Sequence, residues 1–169
     1  NEIVLMAYMN GKILEKIELK DFEKIYINFH IDKLTFLGNR ELLKKVLNNR
    51  EEKLLLYIDI KDFGSINEAY GEDFGNIVLN ELSINIKKDF FDFDIYRADG
   101  DIFALLLKEG SSNYSSSQIE NKVHQFFLKP FIVRNEEINL CSTVALVKGC
   151  NNVLNKAEIT LREDKKNKK

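Results

Sequence analysis

Arginine is scarce in this 169-residue chain. Only five of its 25 basic residues are arginine, so bidentate guanidinium clamps on phosphate can be few. The formal net charge is −2 and the pI is about 5.8, which argues against a basic surface for sequence-independent nucleic-acid binding. With 44% hydrophobic and 31% charged residues, the composition excludes collagen-like, disordered and disulfide-scaffold classes.

Cysteines and long apolar runs are also few. Cys141 and Cys150 lack metal-ligand spacing, and we expect them to be buried thiols in a reducing compartment. No run approaches the roughly 18 apolar residues that a membrane span needs. No P-loop, nucleophile elbow or zinc spacing is present. The length favours one domain, and because the chain begins with Asn1 rather than Met, we expect a piece of a longer protein.

The chain does contain a regular alternation of helical and strand patterns. Residues 2 to 19 form two apolar-rich segments around Asn10-Gly11, which favours a hairpin, with a continuous helix as the alternative. A helix from Asp21 to about His30 follows. The later predicted elements are a helix over 40–52, a strand over 54–60, a loop with one helical turn over 62–76, a helix over 77–88, a hairpin of strands 94–98 and 102–107, a helix over 118–129, a hairpin of strands 131–133 and 138–147, and a helix over 153–165. This order predicts an α/β (α+β) fold with helices on the faces of a mostly antiparallel sheet.

Two acids are the best candidates for metal ligands. Asp59 stands near the end of the apolar run LLLYIDI, and Asp101 follows the Asp99-Gly100 turn. If the hairpin strands lie beside the central strand, both carboxylates meet at one edge of the sheet. Mg²⁺ binds one or two carboxylates together with substrate phosphates, so the pair suits a nucleoside triphosphate site. The alternative, commoner for an arbitrary Asp-Gly hairpin, is that each acid only caps a turn.

Two asparagines can contribute to such a site. Asn67 and Asn76 can read a purine edge, because an amide offers a donor and an acceptor together. The alternative is helix capping, and Asn76 stands where the next helix is predicted to begin. We expect His30 and His124 to be structural, since both are isolated in the sequence.

Four separated motifs resemble the GGDEF domains of the diguanylate cyclase family. They are DKLTFLGNR at 32–40, IDIKDF at 58–63 with the INE and glycine pattern that follows up to Gly75, RADGDIF at 97–103, and the segment from Ala157 to Lys165. Their order and spacing match the family across 32–169, which leaves 1–31 as an N-terminal connector. The resemblance implies a nucleotide-cyclase-like sheet domain that binds GTP with Mg²⁺ or Mn²⁺. It also implies that two such domains face each other to make cyclic di-GMP.

The resemblance assigns roles to particular positions of this chain. It implies that Asp59, Asp101 and the backbone carbonyl of Ile60 are metal ligands. The nucleotide-binding positions that it implies are Phe63, Asn67, Glu72, Asn76, Lys165 and Lys169. Among these, Asn67 matches the guanine-reading asparagine, and the two lysines fall where the family holds phosphates.

The departures from the family pattern predict impaired catalysis. The signature hairpin reads Asp99-Gly100-Asp101-Ile102-Phe103, so an aspartate replaces the first glycine and an isoleucine replaces the fourth-position glutamate. We expect Asp99 to repel phosphate, and Ile102 cannot accept a proton from an attacking hydroxyl.

Three further departures affect binding. Asn76 replaces a guanine-reading aspartate, which weakens the expected guanine selectivity, and Glu72 replaces a histidine. The segment Phe90-Phe91-Asp92-Phe93 lacks the arginine of the family's product-inhibition site, so strong product binding there is not expected.

The sequence therefore predicts a degenerate GGDEF domain that acts as a regulatory or dimerising module and can bind GTP with a metal. An active diguanylate cyclase is the alternative, and a third possibility is a domain that binds nothing and only relays a signal. The expected partners are a second copy or another GGDEF domain, and a covalently attached sensor or phosphodiesterase-type output domain. Nucleic acid is not an expected partner. The expected location is the cytoplasm, including the cytoplasmic part of a membrane-anchored protein.

Overall fold

Nine strands and six helices are found in the part of the chain that the computed structural model describes, residues 4–9, 12–49, 51–111 and 114–167. In chain order they are β1 (Val4–Met9), β2 (Lys12–Glu18), α1 (Leu19–His30), β3 (Gly38–Asn39), α2 (Arg40–Leu47), β4 (Lys53–Ile60), α3 (Phe63–Tyr70), α4 (Glu72–Asp89), β5 (Phe93–Asp99), β6 (Ile102–Leu107), α5 (Ser116–Phe127), β7 (Phe131–Val133), β8 (Glu136–Ile138), β9 (Ser142–Gly149) and α6 (Val153–Asn167).

Five strands form the central sheet, in the order β3-β5-β6-β4-β9. β3 is parallel to β5, and the other three neighbouring pairs are antiparallel. This is the mostly antiparallel sheet that the sequence predicts. β4 lies between β6 and β9, and its nearly unbroken apolar sequence reflects burial on both faces.

Helices cover both faces of the sheet, so the domain has two hydrophobic cores. Along β4, Leu56 and Ile58 pack into the core that includes α4 and α5, whereas Leu55 and Tyr57 pack into the core that includes α2 and α6. The division follows from the alternation of side chains along a strand. Asp59 shares the face of Tyr57, which directs its carboxylate to the α6 side at the end of the strand.

The predicted loop over 62–76 is wrong. Most of this segment is helical, because it contains α3 and the first turns of α4. Gly71 separates the two helices, and its φ of +87° is a conformation that glycine adopts without strain. Glu72 and Asp73 occupy the first turn of α4, where acidic side chains interact favourably with the helix dipole. Asn76 is therefore inside α4 and does not cap it.

Other element bounds differ from the prediction. The helix predicted over 40–52 ends at Leu47. The strand predicted over 138–147 is divided in two, since β8 pairs with β7 while β9 joins the central sheet beside β4. Arg134 and Asn135 have φ values of 50° and 68°, and this left-handed turn closes the β7–β8 hairpin early.

The prediction of buried thiols is also wrong. Cys141 and Cys150 are both exposed. They lie directly before and after β9, outside the inward-facing positions of that strand.

The N-terminal segments form the hairpin of the two sequence alternatives, because β1 and β2 pair antiparallel. Asn10 and Gly11, the predicted turn, lie outside the described residues. α1 follows, and Asn39 Nδ2 donates a hydrogen bond to the Phe29 carbonyl at the end of α1 at 2.8 Å. The boundary between a connector and a domain at residue 32 remains a prediction. In the described ranges, none of the helices combines the length and apolarity that a membrane crossing requires.

Candidate functional site

Asp59 is a buried carboxylate at the end of β4. Its side chain is 5% exposed, and Lys165 Nζ on α6 donates a hydrogen bond to Asp59 Oδ1 at 2.6 Å. Burying a charge is unfavourable without a partner, and the ammonium group supplies the opposite charge. Lys165 itself is half exposed, so the pair lies at the end of β4 and borders solvent.

Asp101 lies in the turn between β5 and β6, next to the end of β4. The N–H of Ile60 donates to the Asp101 carbonyl at 3.2 Å, which fixes this turn against β4. Burial raises the pKa of the Asp101 carboxyl, and the nearby negative charge of Asp59 also raises it. The charge of one acid is therefore felt by the other.

The first cavity, of about 500 Å³, contains both acids in its wall. Its other wall residues include Ile60, Phe63, Thr143 and Lys165. The structure therefore brings the three predicted metal ligands and one predicted phosphate-binding lysine to the same cavity. Lys169, the second predicted lysine, lies outside the described residues.

The second cavity, of about 370 Å³, adjoins the first, and both contain Phe63, Gly64 and Asp101 in their walls. The predicted nucleotide-binding residues Asn67, Glu72 and Asn76 line it. They come together because α3 and α4 follow one another with only Gly71 between them.

The amide of Asn67 lies against Gly75. Its Oδ1 is buried and has no hydrogen-bond partner among the described residues. A Cβ at position 75 would lie 1.8 Å from that oxygen, so the amide position requires glycine there. A buried amide oxygen without a partner costs about 1–3 kcal/mol, and this oxygen has almost no surface open to the cavity.

The signature hairpin contributes less to these cavities than its sequence suggests. Gly100 and Asp101 line the second cavity, but Asp99 and Ile102 line a third cavity of about 210 Å³ with Tyr57 and Glu158. Phe103 is fully buried in the core. Asp99 therefore lines neither of the first two cavities, and the expected repulsion of phosphate stays a prediction.

The segment at the position of the family's product-inhibition site is aromatic and largely part of the core. Phe90 and Phe93 are buried, while Phe91 is exposed. Lys122 Nζ lies 5.1 Å from the centre of the Phe90 ring, a cation–π arrangement. No guanidinium group replaces the missing arginine in this segment.

Two residues of the site escape the sequence reasoning. Thr143 is buried in the first cavity and is paired with Asp59 across the β4–β9 ladder, which a local hairpin prediction for 138–147 cannot reveal. Arg97 donates to the Gly100 carbonyl from Nε at 2.9 Å and from Nη2 at 2.7 Å, and it braces the turn that carries Asp101. Its position just before the signature is a signal that could have indicated this role.

The donor set fits a hard divalent cation. Asp59 and Asp101 supply carboxylate oxygens, and among the described residues no cluster of three or more His, Cys, Asp or Glu side chains offers a complete protein cage. Mg²⁺ commonly takes one or two carboxylates and completes its shell with water and substrate phosphates. Lys165 forms an ion pair with Asp59, so a cation bound by Asp59 would compete with this ammonium group.

A mostly antiparallel sheet between helices, with two acids and an amide in adjoining cavities, is the arrangement that the resemblance to nucleotide-cyclase-like domains implies. The family model described as "Diguanylate cyclase, GGDEF domain" matches residues 29–169, and the chain belongs to this family.

The similarities to individual proteins agree with this assignment. The chain is 26% identical over 133 residues to the Pseudomonas aeruginosa protein "Bifunctional diguanylate cyclase/cyclic di-GMP phosphodiesterase MucR", covering 73% of this chain and 19% of that protein. It is 30% identical over 128 residues to Escherichia coli "Diguanylate cyclase DgcN", covering 71% of this chain and 31% of that protein. The chain thus spans less than a third of the length of these relatives.

A solved structure shows the same fold. The crystal structure of a diguanylate cyclase/phosphodiesterase from Caldicellulosiruptor saccharolyticus matches with a TM-score of 0.74 at 21% identity, covering 85% of this chain and 91% of that chain.

Proposed function

We propose that this chain is a degenerate GGDEF domain that binds GTP with Mg²⁺ or Mn²⁺ and regulates a larger cyclic di-GMP signalling protein. The observation that carries the proposal is the meeting of two different cavities at Asp101. The first offers carboxylates and an ammonium group, which suit a metal and phosphates. The second offers amide and carboxylate groups, which suit the edge of a purine.

Each side chain has a defined part in binding. Asp59, Asp101 and the Ile60 carbonyl would hold the cation, which when bound neutralises phosphate charge. Lys165 would exchange its bond with Asp59 for one with a phosphate oxygen, and Lys169 would assist it. Asn67 would bond the base through its amide, which must rotate to do so because its oxygen is buried against Gly75.

Impaired catalysis follows from position 102. Ile102 lies against the α2 and α6 core and lines the third cavity, and its side chain has no group that can accept a proton. A missing general base commonly reduces a rate by about 100- to 10,000-fold. On this proposal GTP is bound as a signal and is turned over slowly or not at all.

Calorimetry with GTP and Mg²⁺, combined with chromatography for cyclic di-GMP, tests the proposal. We expect binding without product, and at least about a tenfold loss of affinity for the double variant Asp59→Asn/Asp101→Asn. Asp89→Asn/Asp94→Asn, which alters two exposed acids outside the cavities, is the matched control. Absence of GTP binding would leave only the signal-relay role, and cyclic di-GMP formation by the wild type would overturn the claim of impairment.

An active diguanylate cyclase is the second candidate, and the joint presence of Asp59 and Asp101 in one cavity favours it. The double variant Asp99→Gly/Ile102→Glu separates the two candidates. If cyclic di-GMP forms only in the double variant, the native hairpin is the defect. Equal activity in both forms would support the active cyclase.

The proposed partners follow from the lengths of the relatives. The chain spans 19% of MucR, whose name includes both cyclase and phosphodiesterase activities. We therefore propose that this domain is attached to a sensor or phosphodiesterase-type domain in the cytoplasm, and that it pairs with a second copy or another GGDEF domain.

A further inference from the structure

Glu72 and Asn76 present their side chains to the same cavity. They are one helical turn apart in α4, which places them on one face of the helix, and both line the second cavity beside Asn67. The helix begins at Glu72 because Gly71, with its φ of +87°, ends α3 immediately before it. The backbone thus places Glu72 beside this cavity.

The second cavity offers a carboxylate that receives no hydrogen bond from the described part of the chain. Glu72 is exposed and forms no hydrogen bond or ion pair with any described residue, while the unpaired oxygen of Asn67 is buried against Gly75. Arg97 also lines the cavity, but its guanidinium group is already engaged by the Gly100 carbonyl and by Asp32. A ligand must therefore bring the donors.

The chemistry of the bases discriminates between possible ligands. Guanine presents two adjacent donors, N1–H and the 2-amino group, beside the acceptor O6. Hypoxanthine lacks the 2-amino donor, and adenine presents an unprotonated N1, which a carboxylate repels. A carboxylate accepts two parallel N–H bonds, whereas the Asn76 amide has only one acceptor atom.

We propose that Glu72 is the base-selecting residue of this domain, and that its carboxylate accepts hydrogen bonds from N1–H and the 2-amino group of guanine. This inference rests on the proposed nucleotide binding and specifies which side chain sets its selectivity. Apart from Asp101, which the two cavities share, Glu72 is the one carboxylate among the described residues that line the second cavity. Asn76, one turn later, is left to meet O6 through its amide N–H.

The test compares GTP, ITP and ATP with Mg²⁺ by calorimetry, because ITP lacks only the 2-amino group. In the wild type we expect the order GTP, ITP, ATP of decreasing affinity. Glu72→Gln is expected to lower the affinity for GTP by about tenfold or more and to lower the affinity for ITP clearly less. The reason is that a hydrogen bond to a charged acceptor is worth about 1.5–3 kcal/mol. Asp73→Asn, the adjacent exposed acid in the same helical turn, is the matched control, and it is expected to leave the ratio of GTP to ITP affinity unchanged.

The outcomes separate this inference from the proposed function. Suppose that the wild type binds GTP, but Glu72→Gln leaves the GTP affinity unchanged or lowers the affinities for GTP and ITP equally. Glu72 then does not select the base, and the proposed function stands. Equal wild-type affinities for GTP and ITP would have the same meaning. If the wild type binds none of the three nucleotides, both the inference and the proposed nucleotide binding are wrong.

Discussion

At the scale of single residues, the Asp59–Lys165 pair explains how the domain tolerates a buried acid before any ligand arrives. Lys165 Nζ is 2.6 Å from Asp59 Oδ1, and Asp101 has a pKa raised by burial and by Asp59. A cation between the two acids would remove their repulsion, and it would free Lys165 for another anion. On the proposed function, metal binding would therefore be coupled to the position of Lys165 through one carboxylate oxygen.

Gly75 provides the sharpest prediction at this scale. We expect Gly75→Ala to lower the free energy of unfolding by about 1–3 kcal/mol, because its Cβ would overpack against the Asn67 amide. The clash is severe, since the added atom would lie 1.8 Å from Asn67 Oδ1. Urea unfolding measures the effect.

Gly64→Ala is the matched control for this substitution. Gly64 also lies inside a helix, but an added Cβ would meet nothing within 4 Å. Alanine should stabilise that position by about 0.5–1 kcal/mol through its better helix propensity. If both variants are stabilised alike, Asn67 is free to move and its observed position is not constrained by Gly75.

At the scale of structural elements, Asp32 connects the segment after α1 to the signature hairpin. Its Oδ1 accepts hydrogen bonds from Thr35 N at 2.8 Å and Thr35 Oγ1 at 2.7 Å, and Arg97 Nη1 lies 3.1 Å away. Burial alone would raise the pKa of Asp32, but the bonds from Thr35 and the charge of Arg97 lower it below its ordinary value.

The lowered pKa predicts an acid-dependent loss of stability. Ionised Asp32 stabilises the fold above its unfolded-state pKa, and this contribution disappears as the pH falls through the lower folded-state pKa. We expect Asp32→Asn to lower the free energy of unfolding at pH 7 by about 1–3 kcal/mol and to flatten its decline below pH 4.

Urea unfolding from pH 7 to pH 3 checks this, with Glu68→Gln, an exposed acid on α3, as the control. Parallel pH curves for Asp32→Asn and the wild type would show that Asp32 does not contribute to the acid dependence.

Local chemistry explains which elements the sequence could predict. The Asp99-Gly100 turn and the apolar run of β4 are short-range signals, and both elements were placed within one or two residues. Gly71 and Gly75 suggest a loop where the structure has α3 and α4. Gly75 lies inside α4, and its lack of a side chain leaves room for the Asn67 amide. The sequence predicts that 138–147 pairs with 131–133, but β9 pairs with β4, roughly 80 to 100 residues earlier. No local pattern indicates a pairing at that distance.

At the scale of the whole molecule, the sheet divides the signature hairpin between its two faces and its edge. Ile102 lies on the α6 side, Phe103 is in the opposite core, and only Gly100 and Asp101 border the second cavity. The sequence predicted that Asp59 and Asp101 would meet, because strand order alone brings them together. It could not predict which of the residues that depart from the family pattern, Asp99 or Ile102, would line the candidate site. That depends on the register and the bulge between β5 and β6.

At the same scale, the boundary between connector and domain, which the sequence predicts at residue 32, supplies the last prediction. The sequence motifs begin at residue 32, but the family match begins at residue 29. The Phe29 carbonyl accepts a hydrogen bond from Asn39, Ile31 bridges to Gly38, and Lys45 Nζ lies 5.3 Å from the centre of the Tyr26 ring. The end of α1 therefore contacts β3 and α2.

Two truncated chains test this boundary against the full chain by urea unfolding. Removal of residues 1–18, which contain β1 and β2, should change the free energy of unfolding by less than about 0.5 kcal/mol, because the bonds at Phe29 and Ile31 and the contact at Tyr26 remain. Removal of residues 1–31 should lower it by about 1–3 kcal/mol, because the bonds at Phe29 and Ile31 and the contact at Tyr26 are lost. Equal stability of the chain starting at residue 32 and the full chain would place the boundary at residue 32, and it would show that α1 is a connector without a share in the fold.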